Sequence, residues 1–134
     1  AVDIRKGSPT FGQHVSCLLT GRDEEGMKIA EQFAKESHIS NQSSLIGLQF
    51  FIPRGFAHGF AVLTETAVFQ YKCDEFYHPE ADGGINIKDE SLGIDWKIPT
   101  ENAILSEKDT KHELLKDFDG PFSIDTDLYS EFYQ

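Results

Sequence analysis

The stretch Gln49–Pro79, QFFIPRGFAHGFAVLTETAVFQYKCDEFYHP, constrains the fold more than any other part of the chain. It contains short apolar runs rich in aromatic and β-branched residues, and each run is closed by a turn former. Gln49–Ile52 stops at Pro53, Gly55 and Gly59 punctuate the next segment, and Phe60–Leu63 and Ala67–Cys73 are separated by Thr64-Glu65-Thr66. Runs of this length between Gly and Pro read as antiparallel strands, not as helices. Alternation in the last run puts Ala67, Phe69, Tyr71 and Cys73 on one face and Val68, Gln70 and Lys72 on the other. The first face is apolar and is expected to look into the core, so Tyr71 carries a phenol inward whose hydroxyl needs a partner.

The flanking segments extend this pattern. Val2–Arg5 reads as a strand, Lys6–Gly12 as a turn-rich connection and Gln13–Thr20 as the returning strand, with Val15, Cys17 and Leu19 sharing a face. Ile85–Ile87 and Ile94–Ile98 are further short strands, the latter with the only tryptophan, Trp96, read as a core plug. Thr110–Phe118 is expected to form a short helix with Leu114, Leu115 and Phe118 on one side. The tail from Ser123 has Leu128 and Phe132 at i, i+4, and either docks as a helical turn or frays.

Gly21–Ile46 breaks the strand pattern. Asp23 can cap a helix whose first turn holds Glu24 and Glu25, a favourable place for acids beside the positive end of the helix dipole. Met27, Ala30 and Ala34 recur at helical spacing, with Ile29 and Phe33 beside them, and Lys35 and His38 suit the C-terminal end. The spacing predicts one amphipathic helix over about 23–37, then a polar loop at Asn41-Gln42-Ser43-Ser44. It is either a packed decoration or a cover over an open barrel mouth.

A chain of 134 residues is one domain's worth. The net charge of −11 is unevenly placed: Ala1–Cys73 holds seven acids and seven bases, whereas Asp74–Gln134 holds sixteen acids and five bases. An acidic C-terminal part argues against binding a nucleic-acid backbone. No apolar run approaches the roughly 18–20 residues of a membrane span, so no membrane role is expected. Cys17 and Cys73 lie in apolar runs without Cys-x-x-Cys spacing and read as buried, reduced thiols of a cytoplasmic protein. His-x-His or His/Glu metal spacing is also missing, so neither metal nor cofactor is expected.

Four motifs in order carry a resemblance: AVDIRKGSPTFGQ at the start, IPRGFAHGFAVL with FQYK and FYHPE, LGIDW at Leu92–Trp96, and LSEKD at Leu105–Asp109. Together they resemble the dTDP-4-dehydrorhamnose 3,5-epimerases, a family of dimeric cupin-type jelly rolls. The resemblance covers most of the chain outside 21–46 and the acidic tail at 119–134. It implies a mainly antiparallel jelly-roll or cupin-like barrel, incomplete, as a single domain over 1–134 with the helical insertion at 21–46. It also implies a homodimer and a dTDP-hexose substrate.

Epimerisation beside a ketone needs a base to remove the α-proton, an acid on the opposite face to return one, and stabilisation of the enolate. In the resembled family a histidine backed by an aspartate is the base and a tyrosine is the acid. By motif, the tyrosine falls on Tyr71 and the aspartate on Asp109. His58 in GFAHGF matches a substrate-site histidine, Lys108 a substrate-contacting lysine suited to pyrophosphate, and Tyr77 the aromatic that stacks on thymine. Asp82 stands where the family has glutamate, one methylene longer. The family's Arg-Gly-Leu-His-type motif, which carries its catalytic histidine, has no match here, and His38, His78 and His112 lie outside any corresponding motif. Two readings therefore stand beside the epimerase: a non-catalytic cupin that binds a nucleotide-sugar or assembles with a partner, and a truncated, inactive remnant.

Overall fold

The structure is a computed structural model that describes residues 1–38, 40–41 and 45–130. It divides into two units, 1–14 with 54–134, and 15–53.

In the first unit the chain start does most of the organising. β1 (Val2–Asp3) pairs antiparallel with β2 (Phe56–Ala57), Val2 opposite Ala57 and Asp3 opposite Phe56. On its other edge Val2 bridges His14, and Asp3 and Gly12 exchange backbone bonds with Gln13 and Asp3 carbonyls. The turn-rich segment after Arg5 therefore returns the chain beside β1, as its turn formers predict. Gly55 enters β2 with a φ of 84° and receives the Ile4 amide, a backbone conformation that favours glycine.

Val2, Ile4 and Leu92 form the buried core, with Ala57, Ile85, Ile94, Leu115, Phe118 and Phe122 packed against it. Two buried carboxylates tie the loops to that core. Asp3, 1% exposed, accepts bonds from the Arg5 guanidinium at 2.7 Å and from the Ser8 and Thr10 hydroxyls, both at 2.6 Å. Asp89 accepts from the Ser91 amide and hydroxyl and, at 2.6 Å, from the Leu115 amide. A buried carboxylate persists when such donors replace its water.

The expected helix over Thr110–Phe118 is not formed. Two 3-10 turns, Asp109–Lys111 and Leu115–Asp117, flank an extended link in which Glu113 bridges Ile85 in parallel and accepts the Asn86 amide. Non-local pairing with 85–86 has overridden the local helical pattern. The tail docks as far as it is described. Ile124 donates to the Lys6 carbonyl and Lys6 pairs with Asp119. The Arg54 amide donates to the Tyr129 hydroxyl at 2.8 Å, and its guanidinium donates to Asp74 and to the Leu128 carbonyl. Phe132 lies outside the described residues.

In the second unit, α1 (Glu24–Glu36) has Asp23 as N-cap, whose side chain accepts the Gly26 amide at 2.8 Å. Gly26, Ala30 and Ala34 are buried, while Met27 is exposed. Ion pairs Glu24–Lys28 and Glu31–Lys35 at i, i+4 decorate the outer face. Thr20 bridges Ile46 in parallel where the segment closes. Residues 42–44 of the expected polar loop lie outside the described residues.

The structure corrects several strand expectations. Among the described residues, Phe60–Cys73 joins no strand ladder and Val68 is fully exposed. Cys17 and Cys73 are both free but exposed, not buried. Trp96 is half-buried, outside the buried core cluster and the residues packed against it, with its indole N–H donated to the Ile87 carbonyl at 3.2 Å.

Candidate functional site

The loop Tyr77–Gly84 and the turn Ser106–His112 meet in the first unit and bring four of the six candidate residues together. A 3-10 turn at Pro79–Ala81, opened by the proline, folds the loop so that Tyr77 and Asp82 approach. The Tyr77 hydroxyl donates to Asp82 Oδ2 at 3.3 Å. Lys108 Nζ donates to the same oxygen at 2.6 Å. Asp82 thus joins a phenol on its own loop to an ammonium from a segment 26 residues further along.

The electrostatics follow from that geometry. The Lys108 ammonium holds the Asp82 carboxyl below its ordinary value, and the Tyr77 hydroxyl and the nearby His112 act in the same direction. Reciprocally, the Asp82 carboxylate raises Lys108. Both groups are charged near neutral pH.

Asp109 follows Lys108 at the start of the 3-10 turn and is half-buried. Its Oδ2 accepts the Ser106 hydroxyl at 2.6 Å, and its Oδ1 lies 3.5 Å from His112 Nε2. Sequence reasoning passed over His112. The signal was present: in a 3-10 turn, residues i and i+3 eclipse, so Asp109 and His112 face one another. The ring also rests on Gly84, where an added Cβ would sit 2.7 Å from Nε2.

The other two candidates stand apart from this cluster. Tyr71 is 69% exposed and meets Phe69 with ring centroids 5.6 Å apart, and Phe69 in turn stacks on Phe60 at 4.1 Å. The expectation that Tyr71 faces an apolar interior is corrected: with no ladder partner, the 67–73 run leaves both of its faces in solvent. His58 is likewise exposed just after β2, not turned inward. Among the described residues no hydrogen bond, ion pair or ring contact joins either one to the Tyr77–Asp82–Lys108 cluster.

Among the described residues no group of three or more His, Cys, Asp or Glu is arranged to hold a metal, and no helix is long and apolar enough to cross a membrane. Tyr77 offers an exposed aromatic face, Lys108 a cation for phosphate oxygens, and Asp82 an acceptor for sugar or base donors.

Comparison with known proteins gives one consistent result. The family described as dTDP-4-dehydrorhamnose 3,5-epimerase matches residues 40–117. The enzyme of that name from Escherichia coli K12 is 40% identical over 111 residues, covering 83% of this chain and 47% of its own length. The Pseudomonas aeruginosa enzyme is 39% identical over 120 residues, 89% of this chain and 52% of its own. The Methanothermobacter thermautotrophicus enzyme is 36% identical over 118 residues, 87% and 51% respectively. No solved structure matches. The chain spans about half the length of the curated relatives it matches. With more than half of its residues matched by the family, including every member of the Tyr77–Asp82–Lys108–Asp109 cluster, the chain belongs to the dTDP-4-dehydrorhamnose 3,5-epimerase family.

Proposed function

We propose that this chain binds a dTDP-hexose and takes part in 3,5-epimerisation of dTDP-4-dehydro-6-deoxy-D-glucose. The observation that carries the reading is the convergence of Tyr77, Asp82 and Lys108 on one carboxylate oxygen, with Asp109 beside them. Three residues assigned to the nucleotide-sugar by motif are brought together by hydrogen bonds that the motifs do not encode.

In this reading Tyr77 stacks on the thymine, Lys108 pairs with the pyrophosphate, and Asp82 and His58 complete the substrate contacts. Asp109 backs the family's histidine base, which no residue of this stretch matches and which a further segment or a second chain would supply, and that histidine takes the proton next to the 4-keto group. The electron pair passes to the ketone oxygen, and Tyr71 returns a proton to carbon from the opposite face. Tyr71 and His58 are exposed and apart from the cluster, so in this reading they join the substrate by closure of their loops or against a second protomer. The remaining features are one cupin-like jelly-roll domain over 1–134 with 21–46 inserted and an acidic tail at 119–134, assembly as a homodimer, and residence in the cytoplasm without a metal or cofactor.

The test is exchange of solvent deuterium into dTDP-4-dehydro-6-deoxy-D-glucose, read at C3 and C5 by NMR. Because no residue here matches the family's catalytic histidine, the chain alone should exchange no faster than its Tyr71→Phe variant. Supplying a segment that bears the Arg-Gly-Leu-His-type motif, in cis or as a second chain, should restore exchange, which Tyr71→Phe and Asp109→Asn then each slow by roughly 10²-fold or more. Exchange that both variants leave intact contradicts the roles assigned here.

A further inference from the structure

His112 carries the next step. It belongs to none of the motifs that point to the family, and its side chain is only 19% exposed. Two independent features place it. Its backbone is held by the 84–86 segment: the Asn86 side chain donates to the His112 carbonyl at 3.1 Å, and the Asn86 amide donates to the Glu113 carbonyl at 2.8 Å. Its ring lies against Gly84, where any Cβ would sit within 3.0 Å of Nε2, Cδ2 and Cε1. The absence of a side chain at Gly84 makes room for the imidazole.

We propose that His112 is a positioning residue for Asp109, directing its Nε2–H at Oδ1 while Ser106 holds Oδ2, so that the carboxylate has one orientation before substrate arrives. The Ser106 bond is short, at 2.6 Å. The His112 approach is longer, 3.5 Å between Nε2 and Oδ1, a proximity and not a formed hydrogen bond. A carboxylate held by only one oxygen swings about its Cβ–Cγ bond, and a misplacement of about 1 Å in a supporting group can cost about 10²-fold in rate. The charged groups about the ring are Asp109 on its own turn and Asp82 from the facing loop, the latter already paired to Lys108.

The inference rests on the proposed role of Asp109, and two measurements separate them. In deuterium exchange with a segment bearing the Arg-Gly-Leu-His-type motif supplied, His112→Phe should lower the rate at saturating substrate at least tenfold and leave the dTDP dissociation constant within about twofold. His112→Gln, whose amide nitrogen reaches the place of Nε2, should recover most of the rate. An unchanged rate in His112→Phe, or no recovery in a folded His112→Gln, overturns the proposal. The second measurement needs no variant of His112 and no turnover. Nitrogen-15 NMR of the wild-type chain should show the Nε2–H tautomer, and Asp109→Asn should move the His112 Nε2 chemical shift. A dominant Nδ1–H tautomer, or an Nε2 signal indifferent to Asp109→Asn, overturns it even where exchange is absent and the epimerase reading has failed separately.

Discussion

Lys108 Nζ lies 2.6 Å from Asp82 Oδ2 and shares that oxygen with the Tyr77 hydroxyl. The ion pair offsets the two charges against each other, and the shared oxygen ties the cation to the aromatic ring's hydroxyl. In the proposed reading, a pyrophosphate entering the site would compete with Asp82 for the ammonium. Lys108→Ala should therefore weaken dTDP binding by about ten- to a hundredfold, the value of one charge-assisted contact. Calorimetric titration measures it. The melting temperature should hardly move, because the pair is largely exposed.

The same pair makes a pH prediction. Asp82 titrates below its ordinary value in the folded chain because Lys108 favours its charged form. Its contribution to stability is complete above the ordinary carboxylate value of about 4 and is lost as pH falls through the lowered folded value. In Lys108→Ala the Asp82 carboxyl should titrate at higher pH, towards that ordinary value, as read by carbon-13 NMR.

Asp3 is the buried counterpart. The Arg5 guanidinium holds its carboxyl far below the usual range, aided by Ser8 and Thr10. Folding is therefore favoured above the ordinary carboxylate value, and that stabilisation fades only at strongly acid pH. Asp3→Ala leaves Arg5, Ser8 and Thr10 without their common acceptor and should cost about 2–4 kcal/mol, measured by urea denaturation.

Asp23 closes the first turn of α1 through the Gly26 amide. Asp23→Ala should cost about 1 kcal/mol of stability in the segment that carries the helix, and Asp23→Asn much less. Hydrogen exchange across Glu24–Glu36 reads the difference.

Tyr71→Phe should shift stability by less than about 0.5 kcal/mol, because its hydroxyl is exposed and bonded to no described residue. A larger loss on thermal melting would assign the hydroxyl a structural role and weaken its role as proton donor.

The parts legible in the sequence are those set by neighbours along the chain. Asp23, the acidic first turn and the Ala30–Ala34 spacing locate α1 within a residue or so of its observed ends, because capping and helical periodicity act locally. The Lys6–Gly12 return was readable for the same reason. Strand alternation over Ala67–Cys73 described faces correctly only if a partner strand exists, and none of the described residues supplies one, so Val68 and Tyr71 are both in solvent. The Thr110–Phe118 helix failed at Glu113, whose pairing with Ile85 no local pattern announces. In the site, motif order gave Tyr77, Asp82, Lys108 and Asp109, but not that one carboxylate oxygen would join the first three. The i, i+3 spacing of Asp109 and His112 was readable, but the packing of His112 against Gly84 and Asn86, distant in sequence, was not.

The most direct test of the account is where a thymidine nucleotide binds. Titrating dTDP into the isotopically labelled chain should move the Tyr77 ring, Asp82 carboxyl and Lys108 ammonium signals together, saturating at one concentration. It should leave signals around the Trp96 cavity, lined by Ile87, Asp89 and Thr100, unchanged. Shifts centred on Trp96, or none at millimolar dTDP, would contradict the assignment of the Tyr77–Asp82–Lys108 cluster as the nucleotide-sugar site.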